Sequence, residues 1–422
     1  MRIEVICTGD EVLTGKIVNT NFGYMAQKLE DVGLSVAWET TVGDDRANLL
    51  EAFRLAAARA DAVIVNGGLG PTVDDLSQEI AAQAAGVELV LDEAWLARME
   101  SFFERRGRVM SANNRKQAML PAGAEMLDNP IGTACGFAVT IGGARFFFTP
   151  GVPRELRRML EEQIIPRLLA MAGAPGVIRL KRFQTYGLGE SHVDQLLAGV
   201  EALAPDGSVK LGFRAHYPQI ETKLTVRGAD AAEVERRLAP VQDEVRRRLG
   251  NFILAEDDEI LEGVIVARLR ALHARLAIAE TFTAGQIAAR LAHLPSAEHV
   301  FCRAVVARDL SQIEAASGME PTDAAITEAG AAGIARALRA HAGATHAMAA
   351  LIDLDDAAAE GIDFGGTIWV AIATAEATEV RRARIAGGRD WLRLGAVELA
   401  LDSLRRHLHG LPLRERTDFE RT

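Results

Sequence analysis

The stretch Ala62-Val63-Ile64-Val65-Asn66, followed at once by Gly67-Gly68-Leu69-Gly70-Pro71-Thr72-Val73-Asp74-Asp75-Leu76-Ser77, decides how the N-terminal part of this chain is read. An apolar run of this kind is a buried strand, and the glycines after it permit positive φ and close approach of backbone N–H groups to an anion before a helix begins. Open α/β sheets bind ligands at the C-terminal ends of their strands, where this loop sits. Gly67, Gly68, Gly70, Pro71 and Thr72 are therefore the expected phosphate-binding residues. Asp74 and Asp75 add hard oxygen ligands beside the cradle, where a divalent cation would bridge them to pyrophosphate oxygens. A glycine turn capped by an aspartate also joins many strands to helices with no ligand involved. Pro71, Thr72 and the paired aspartates are what make the full string uncommon.

Working outward, three more strand ends carry similar chemistry. The strand Ile3–Thr8 runs into Thr8-Gly9-Asp10-Glu11-Val12-Leu13-Thr14-Gly15 and then Asn19-Thr20-Asn21. Ser35–Val42 runs into Gly43-Asp44-Asp45, and Arg145–Thr149 into Pro150-Gly151-Val152-Pro153, with Pro153 suited to the first position of a helix. Helical spacing at Asn21–Val32 and Arg46–Ala60, with Gly33 where the first would stop, gives the alternation of a largely parallel sheet covered by helices. In such a sheet these ends face one crevice, which brings Gly9, Asp10, Glu11, Asn21, Asp44 and Gly151 to the candidate site. Asp44 is equally a helix N-cap candidate for Arg46–Ala60. In Asn113-Asn114-Arg115-Lys116-Gln117, Arg115 and Lys116 either meet phosphate charge or lie on a solvated helix face.

At 422 residues the chain exceeds what one core usually supports, so two or three domains are expected. A net charge of −11 argues against general polyanion binding and so against a nucleic-acid partner, while leaving room for a small anion in a local pocket. Cys7, Cys135 and Cys302 are far apart and odd in number, which indicates neither a disulfide framework nor a thiolate zinc site. The N-terminus enters an apolar run at Ile3 without a signal-peptide pattern, and no segment has eighteen consecutive apolar residues, so a cytoplasmic location with no membrane partner is expected.

Beyond a linker at Ala172-Gly173-Ala174-Pro175-Gly176, the order strand Ile178–Tyr186, helix Glu190–Val200, strands Val209–Phe213 and Ile220–Val226, and helix Ala231–Arg248 predicts a small α+β module. The acidic Glu256-Asp257-Asp258-Glu259 then introduces a helix to about Leu272 and a third region, another α/β domain with strands Leu276–Ala279 and Thr367–Ala373.

Taken together, Thr8–Gly15, Asn19–Asn21, the Gly67–Leu76 loop, Asn114-Arg115-Lys116-Gln117-Ala118 and Pro150-Gly151-Val152-Pro153 resemble the N-terminal domain of the CinA family. That domain is related to the molybdopterin-binding MogA and MoaB proteins. The resemblance spans the chain and implies a three-layer MogA/MoaB-like α/β domain at 1–170, a KH-type α+β module at 177–250 and an α/β CinA C-terminal, amidohydrolase-like domain at 256–412. It implies ADP-ribose pyrophosphatase activity giving AMP and ribose 5-phosphate, with a divalent metal (cobalt or magnesium), help from potassium, a small nucleotide substrate and a homodimer. In the MogA relatives the aspartate ending the glycine loop matches Asp75, and that of their Pro-Asp turn matches Asp44. These two are the expected metal ligands, with Asp74 as a further catalytic candidate. Two other readings stay open: a non-catalytic pterin or nucleotide binder, and a nucleotidyl transferase acting on molybdopterin.

The third domain departs from its pattern. Where family members that deamidate nicotinamide mononucleotide carry Ala-Glu-Ser-Cys-Thr-Gly-Gly, this chain has Ala279-Glu280-Thr281-Phe282-Thr283-Ala284-Gly285. Thr281 stands for the serine nucleophile, and a hydroxyl nucleophile needs a neighbouring base. Arg308 and Ile313 stand where the resemblance places a tyrosine and a lysine, and Ile352-Asp353-Leu354-Asp355 replaces a glycine-rich loop. A folded domain without deamidase activity is expected. In the middle module Gly187-Leu188-Gly189 is not the Gly-x-x-Gly clamp that KH domains use on RNA, which favours a structural or dimerisation role.

Overall fold

The computed structural model describes residues 1–422 except 174–176, 205–206, 322–325, 356–363 and 421–422. The chain divides into two compact units, Met1–Arg179 and Leu180–Thr422.

In the first unit, β1 (Ile3–Thr8), β2 (Val36–Val42), β3 (Ala62–Asn66), β6 (Glu125–Leu127), β7 (Gly136–Ile141) and β8 (Ala144–Thr149) form a sheet in the order β2-β1-β3-β8-β7-β6, and β4 (Leu89–Leu91) pairs with β5 (Met119–Pro121). β2, β1, β3 and β8 are parallel, which puts the C-terminal ends of all four on one edge. Alternation decides the layers. Val63, Val65, Phe146 and Phe148 pack with the helices Arg46–Arg59 and Ser77–Ala85 on one face, while Ala62, Ile64 and Phe147 pack with Thr20–Asp31 and the segment Pro153–Met171 on the other. This is a three-layer α/β domain. The stacked rings of Phe137 and Phe148, 4.3 Å apart, extend the first face onto the antiparallel strand β7. Glu4 is fully buried in β1 and is answered by Arg59, whose Nε and Nη2 donate to its two oxygens at 2.8 and 2.6 Å, and by the Thr40 hydroxyl at 2.8 Å.

The second unit opens with the predicted α+β order: β9 (Val177–Tyr186), a helix at Glu190–Leu196, the hairpin β10 (Val209–His216) and β11 (Gln219–Gly228), and a helix at Ala231–Leu249. The helix expected to Val200 stops at Leu196, because Gly199 turns left-handed and a 3-10 turn follows. A fourth strand, β12 (Ile253–Glu256), joins in the order β10-β11-β9-β12. The acidic run that introduces the next helix is itself the end of β12 and a turn. Asp257 adopts φ 56° and its carboxylate accepts from Lys181 Nζ at 2.6 Å and Arg182 N–H at 3.1 Å, and the helix begins at Leu261.

The remaining strands, β13 (Leu276–Glu280), β14 (Phe301–Val306), β15 (His346–Leu354), β16 (Gly365–Ala373) and β17 (Thr378–Ala386), form a sheet in the order β14-β13-β15-β16-β17 with apolar clusters on both faces. Its long helix, Arg389–His409, is tied to the middle module through a buried charge. Glu398, 1% exposed, accepts from Arg290 Nη1 at 2.7 Å and from Gln219 Nε2 at 2.5 Å. No helix among the described residues is long and apolar enough to cross a membrane.

Candidate functional site

The ends of β1, β2, β3 and β8 surround a cleft of about 540 Å³, a size ordinary for a small-molecule site. Its glycine loop is shaped by contacts that only glycine tolerates. Gly67 and Gly68 have φ of 114° and 70°, and a Cβ on Gly68 would lie 2.3 Å from Ser77 Oγ. Ser77 itself closes the loop, its hydroxyl donating to Gly67 O at 2.9 Å and its N–H to Gly68 O at 3.1 Å. The N–H of Gly67 is taken by Thr149 O and that of Thr72 by Asp75, so the amides available to an anion lie at Gly68 to Gly70.

Asp75 folds back over this loop. Its Oδ2 accepts from Thr72 N–H at 2.8 Å and from the Thr72 hydroxyl at 2.5 Å, and a Cβ at Gly70 would sit 2.4 Å from the same oxygen. One oxygen of the expected metal ligand is thus a loop clasp. The helix after the loop starts at Ser77 with Leu76 at its N-cap, so neither Asp74 nor Asp75 caps it. Asp44 is not a cap either: Asp45 is, accepting from Asn48 N–H at 2.9 Å. That leaves Asp44 facing the cleft, where burial and then the negative charges of Asp10, Glu11 and Asp74 push its pKa up, against a lowering hydrogen bond from Asp10 N–H.

The other candidates divide between lining and support. Gly9, Glu11, Asp74, Pro71, Thr72 and Gly151 line the cleft with Asp44 and Asp75. Asn21 is a brace, its amide donating to Asn66 Oδ1 at 2.9 Å and Gly151 O at 2.7 Å, while Asn66 in turn donates to Thr149 Oγ1 and Pro150 O. Lys116 holds the loop from outside through Thr72 O at 2.9 Å, and Arg115 is exposed and outside the lining. Asp10 is engaged with the Asp44 backbone and is also outside the lining. Sequence reasoning passed over Thr8, Gln117 and Glu155, which all line the cleft. Gln117 stands in the same polar string as Arg115, and its Nε2 supports Leu69 O at 3.2 Å. Glu155 reads in sequence as an ordinary acidic residue in a helix's first turn; in space it accepts from Asn129 Nδ2 at 2.7 Å beside Gly132, where a Cβ would leave it no room.

The electrostatics of the lining are one-sided. It holds Glu11, Asp44, Asp74, Asp75 and Glu155 and, among the described residues, no lysine, arginine or histidine. A polyanion entering such a cleft needs accompanying cations to offset the repulsion. Among the described residues no three His, Cys, Asp or Glu side chains are grouped to hold a metal ion. The donor set suits a cation of the magnesium type, which uses one or two carboxylates and completes its shell with water and substrate oxygens.

Comparison with known proteins fits this architecture. Residues 4–170 match the family described as probable molybdopterin binding domain, 180–255 the damage-inducible protein CinA KH domain, and 258–408 the CinA C-terminal domain. A CinA-like protein of Geotalea uraniireducens is 34% identical across 99% of this chain and 100% of its own length, and one of Shewanella loihica 38% identical across 98% and 97%. The chain belongs to the CinA family. Among solved structures, CinA of Thermoplasma acidophilum, described as of unknown function, is 35% identical over 38% of this chain and 94% of its own, with a TM-score of 0.36.

In this CinA-family chain the C-terminal positions that depart from pattern are built into the fold. Thr281 is 2% exposed at the end of β13, and its hydroxyl accepts from Ile352 N–H at 2.9 Å. Phe282 and Ala284 take φ of 64° and 57° in the turn that follows. Arg308 is exposed with its guanidinium 5.5 Å from the Phe282 ring centroid, and Ile313 is fully buried in the cluster that includes Ala331, Ile334 and Leu338. In the KH-like module, Gly189 N–H donates to Asp418 of the C-terminal tail at 2.8 Å.

Proposed function

We propose that the N-terminal domain binds a phosphorylated pterin- or nucleotide-type ligand, with phosphate on the Gly68–Gly70 amides and the rest of the molecule within the cleft. The observation that supports this is the loop itself: glycines at positive φ, clasped from below by Ser77 and from the side by Asp75, hold backbone donors in place before a ligand arrives. Isothermal calorimetry with ADP-ribose and with a molybdopterin-type compound, with and without magnesium or cobalt, tests it. Binding of neither under any of these conditions would sink the reading.

A second reading, hydrolysis of the ADP-ribose pyrophosphate to AMP and ribose 5-phosphate, is favoured by the carboxylates gathered opposite that loop. Asp44 and Asp74, with the remaining oxygen of Asp75, would hold a divalent cation together with ligand oxygens. When bound, that cation supplies charge neutralisation on the pyrophosphate and activation of water. The chain's own part is to fix the phosphate on the loop amides, to orient water from the Asp44 carboxylate, and to keep Asp75 locked on Thr72. Metal and nucleotide should bind cooperatively, each weakly alone. AMP release that needs metal and is lost in Asp44→Asn supports hydrolysis; tight binding with no AMP release leaves a binder. Potassium enters as a titration in the same assay.

We assign no deamidation to the C-terminal domain, because the Thr281 hydroxyl already accepts a backbone hydrogen bond and the residue at the lysine position is apolar and buried. Conversion of nicotinamide mononucleotide by the purified chain, lost in Thr281→Ala, would contradict this. The same reading takes the chain as a cytoplasmic homodimer without nucleic-acid affinity, which sedimentation, cell fractionation and gel-shift assays check.

A further inference from the structure

We propose that Glu155 selects the ligand of the N-terminal cleft by accepting hydrogen bonds from two adjacent donors on its non-phosphate part, either the N–H edge of an amino-lactam ring or a ribose diol. The proposal rests on the reading that places phosphate on the Gly68–Gly70 amides, and it names what holds the other end of the molecule.

The carboxylate is built into place. Glu155 lies in the first turn of the helix that begins at Pro153 and lines the cleft. Its Oε2 accepts from Asn129 Nδ2 at 2.7 Å. Asn129 is 1% exposed and is itself fixed at both ends of its amide, Nδ2 donating to Ala134 O at 2.9 Å and Oδ1 accepting from Gly132 N–H at 3.1 Å. Gly132 leaves the space, since a Cβ there would collide with the Glu155 carboxylate. Among the described residues no lysine or arginine pairs with Glu155, and its Oε1 has no hydrogen-bond partner. A side chain held from behind by a buried amide loses little freedom when a ligand arrives.

Chemistry sets what such a group takes. An ionised carboxylate is acceptor-only, and two parallel bonds to it need two neighbouring donors. The same charge repels phosphate, which leaves the phosphate to the loop amides. The other lining residues from these two loops, Thr133, Ala134, Pro150, Gly151 and Val152, carry no charge. A lone carboxylate among them makes a poor cation site and a good anchor for a ring or sugar that lies against the rest.

Glu155 also stands apart from the carboxylates assigned to a cation. In the order β2-β1-β3-β8, the loops carrying Asp44 and Glu155 follow strands three steps apart, roughly 14 Å at ordinary strand spacing. The glycine loop after β3 lies between them. A diphosphate on that loop has room for its cation on the Asp44 side and for its organic part on the Glu155 side.

The test is calorimetric titration of the full chain with GDP, IDP, ADP and 2′-deoxy-ADP at fixed magnesium. GDP presents two adjacent ring donors, IDP one, and ADP a ring acceptor beside its amino group. If the ring edge is read, affinity falls from GDP to IDP to ADP by about tenfold per donor. If the diol is read, the three ribonucleotides bind alike and 2′-deoxy-ADP binds about tenfold more weakly. In both cases the gap closes in Glu155→Gln, which keeps an acceptor for Asn129 Nδ2 and turns a donor towards the ligand. Gly132→Ala, which displaces the carboxylate without removing it, should lose the same discrimination, and thermal melts of both variants confirm that they fold. Binding of none of the four overturns the phosphate reading of the loop and this proposal with it. Four equal affinities in wild type, an unchanged ranking in Glu155→Gln, or a variant that loses only its response to magnesium overturns this proposal alone and leaves the loop reading standing.

Discussion

Asp10 and Asp44 hold each other's backbone: Asp44 Oδ2 accepts from Asp10 N–H and Asp10 Oδ1 accepts from Asp44 N–H, both at 3.2 Å. The pair locks the turn after β1 to the turn after β2, and it does so with two negative charges at one rim of the cleft. Gly43 makes the approach possible, since a Cβ there would lie 2.4 Å from Asp10 Oδ1.

Asp44 should therefore oppose folding at neutral pH. Its folded pKa is raised, so the native state resists the ionised form that the unfolded chain accepts. The penalty is present above the folded pKa and disappears as pH falls through it towards the ordinary aspartate value, about 3.9. Asp44→Asn is expected to raise Tm at pH 7 and to leave it nearly unchanged near pH 3.5, while ligand binding at pH 7 weakens. A variant less stable than wild type at pH 7 would contradict the assignment. The group is only partly buried, so the gain should be small.

Gly68→Ala should damage the cleft more than the fold. Alanine at φ 70° with its Cβ 2.3 Å from Ser77 Oγ costs about 1–2 kcal/mol, and relief requires the Ser77 hydroxyl to leave Gly67 O. The expected pattern is a drop of a few degrees in Tm with ligand affinity reduced more than tenfold. Gly86→Ala is the comparison, since its positive φ lies at a helix end with open space around it.

Replacing Arg59 by Met leaves Glu4 charged and buried. One partner of a buried pair typically carries several kcal/mol; Arg59 is 39% exposed, so about 2 kcal/mol is expected in denaturant unfolding. The double variant with Glu4→Gln should recover much of that loss. Absence of recovery would show that Arg59 acts through its stacking on Trp38 instead.

Thr281→Val removes the acceptor for Ile352 N–H and should cost about 1–3 kcal/mol of stability, whereas Thr281→Ser keeps the bond and should cost less. Neither change should create or abolish deamidation. A serine variant that turns over nicotinamide mononucleotide would show the base still in place.

Much of this fold was legible because its strands are buried on both faces. Ala62–Val65 reads as a continuous apolar run and Ile3–Cys7 as one broken only by Glu4, and both strands end where the sequence says they end. The β7–β8 hairpin was missed although Gly142-Gly143 is a two-residue turn signal, because the expectation of a parallel sheet left no place for an antiparallel strand. The acidic Glu256–Glu259 run does introduce the helix Leu261–Ala271, but that Lys181, distant in sequence, holds Asp257 in a turn before it was not legible. The same limit applies at the cleft. Parallel topology makes the convergence of loops readable, but which aspartate caps a helix, which clasps a loop and which faces the cavity depends on contacts between strand ends. Asp45 caps, Asp75 clasps and Asp44 is left over, and adjacent letters in a sequence do not distinguish them.

Glu398 has a wider consequence. Its two oxygens are answered from different parts of the second unit, one by Gln219 on the hairpin and one by Arg290 in the sheet domain. A chimera that exchanged only the middle module between related chains would leave Glu398 Oε1 without its hydrogen-bond donor in the interior, although Arg290 stays on the other oxygen, unless the newcomer brought the same amide. Recombination should therefore succeed when the segments 180–255 and 258–408 travel as one cassette, and shuffled libraries should show survivors with breakpoints before Leu180 rather than between them.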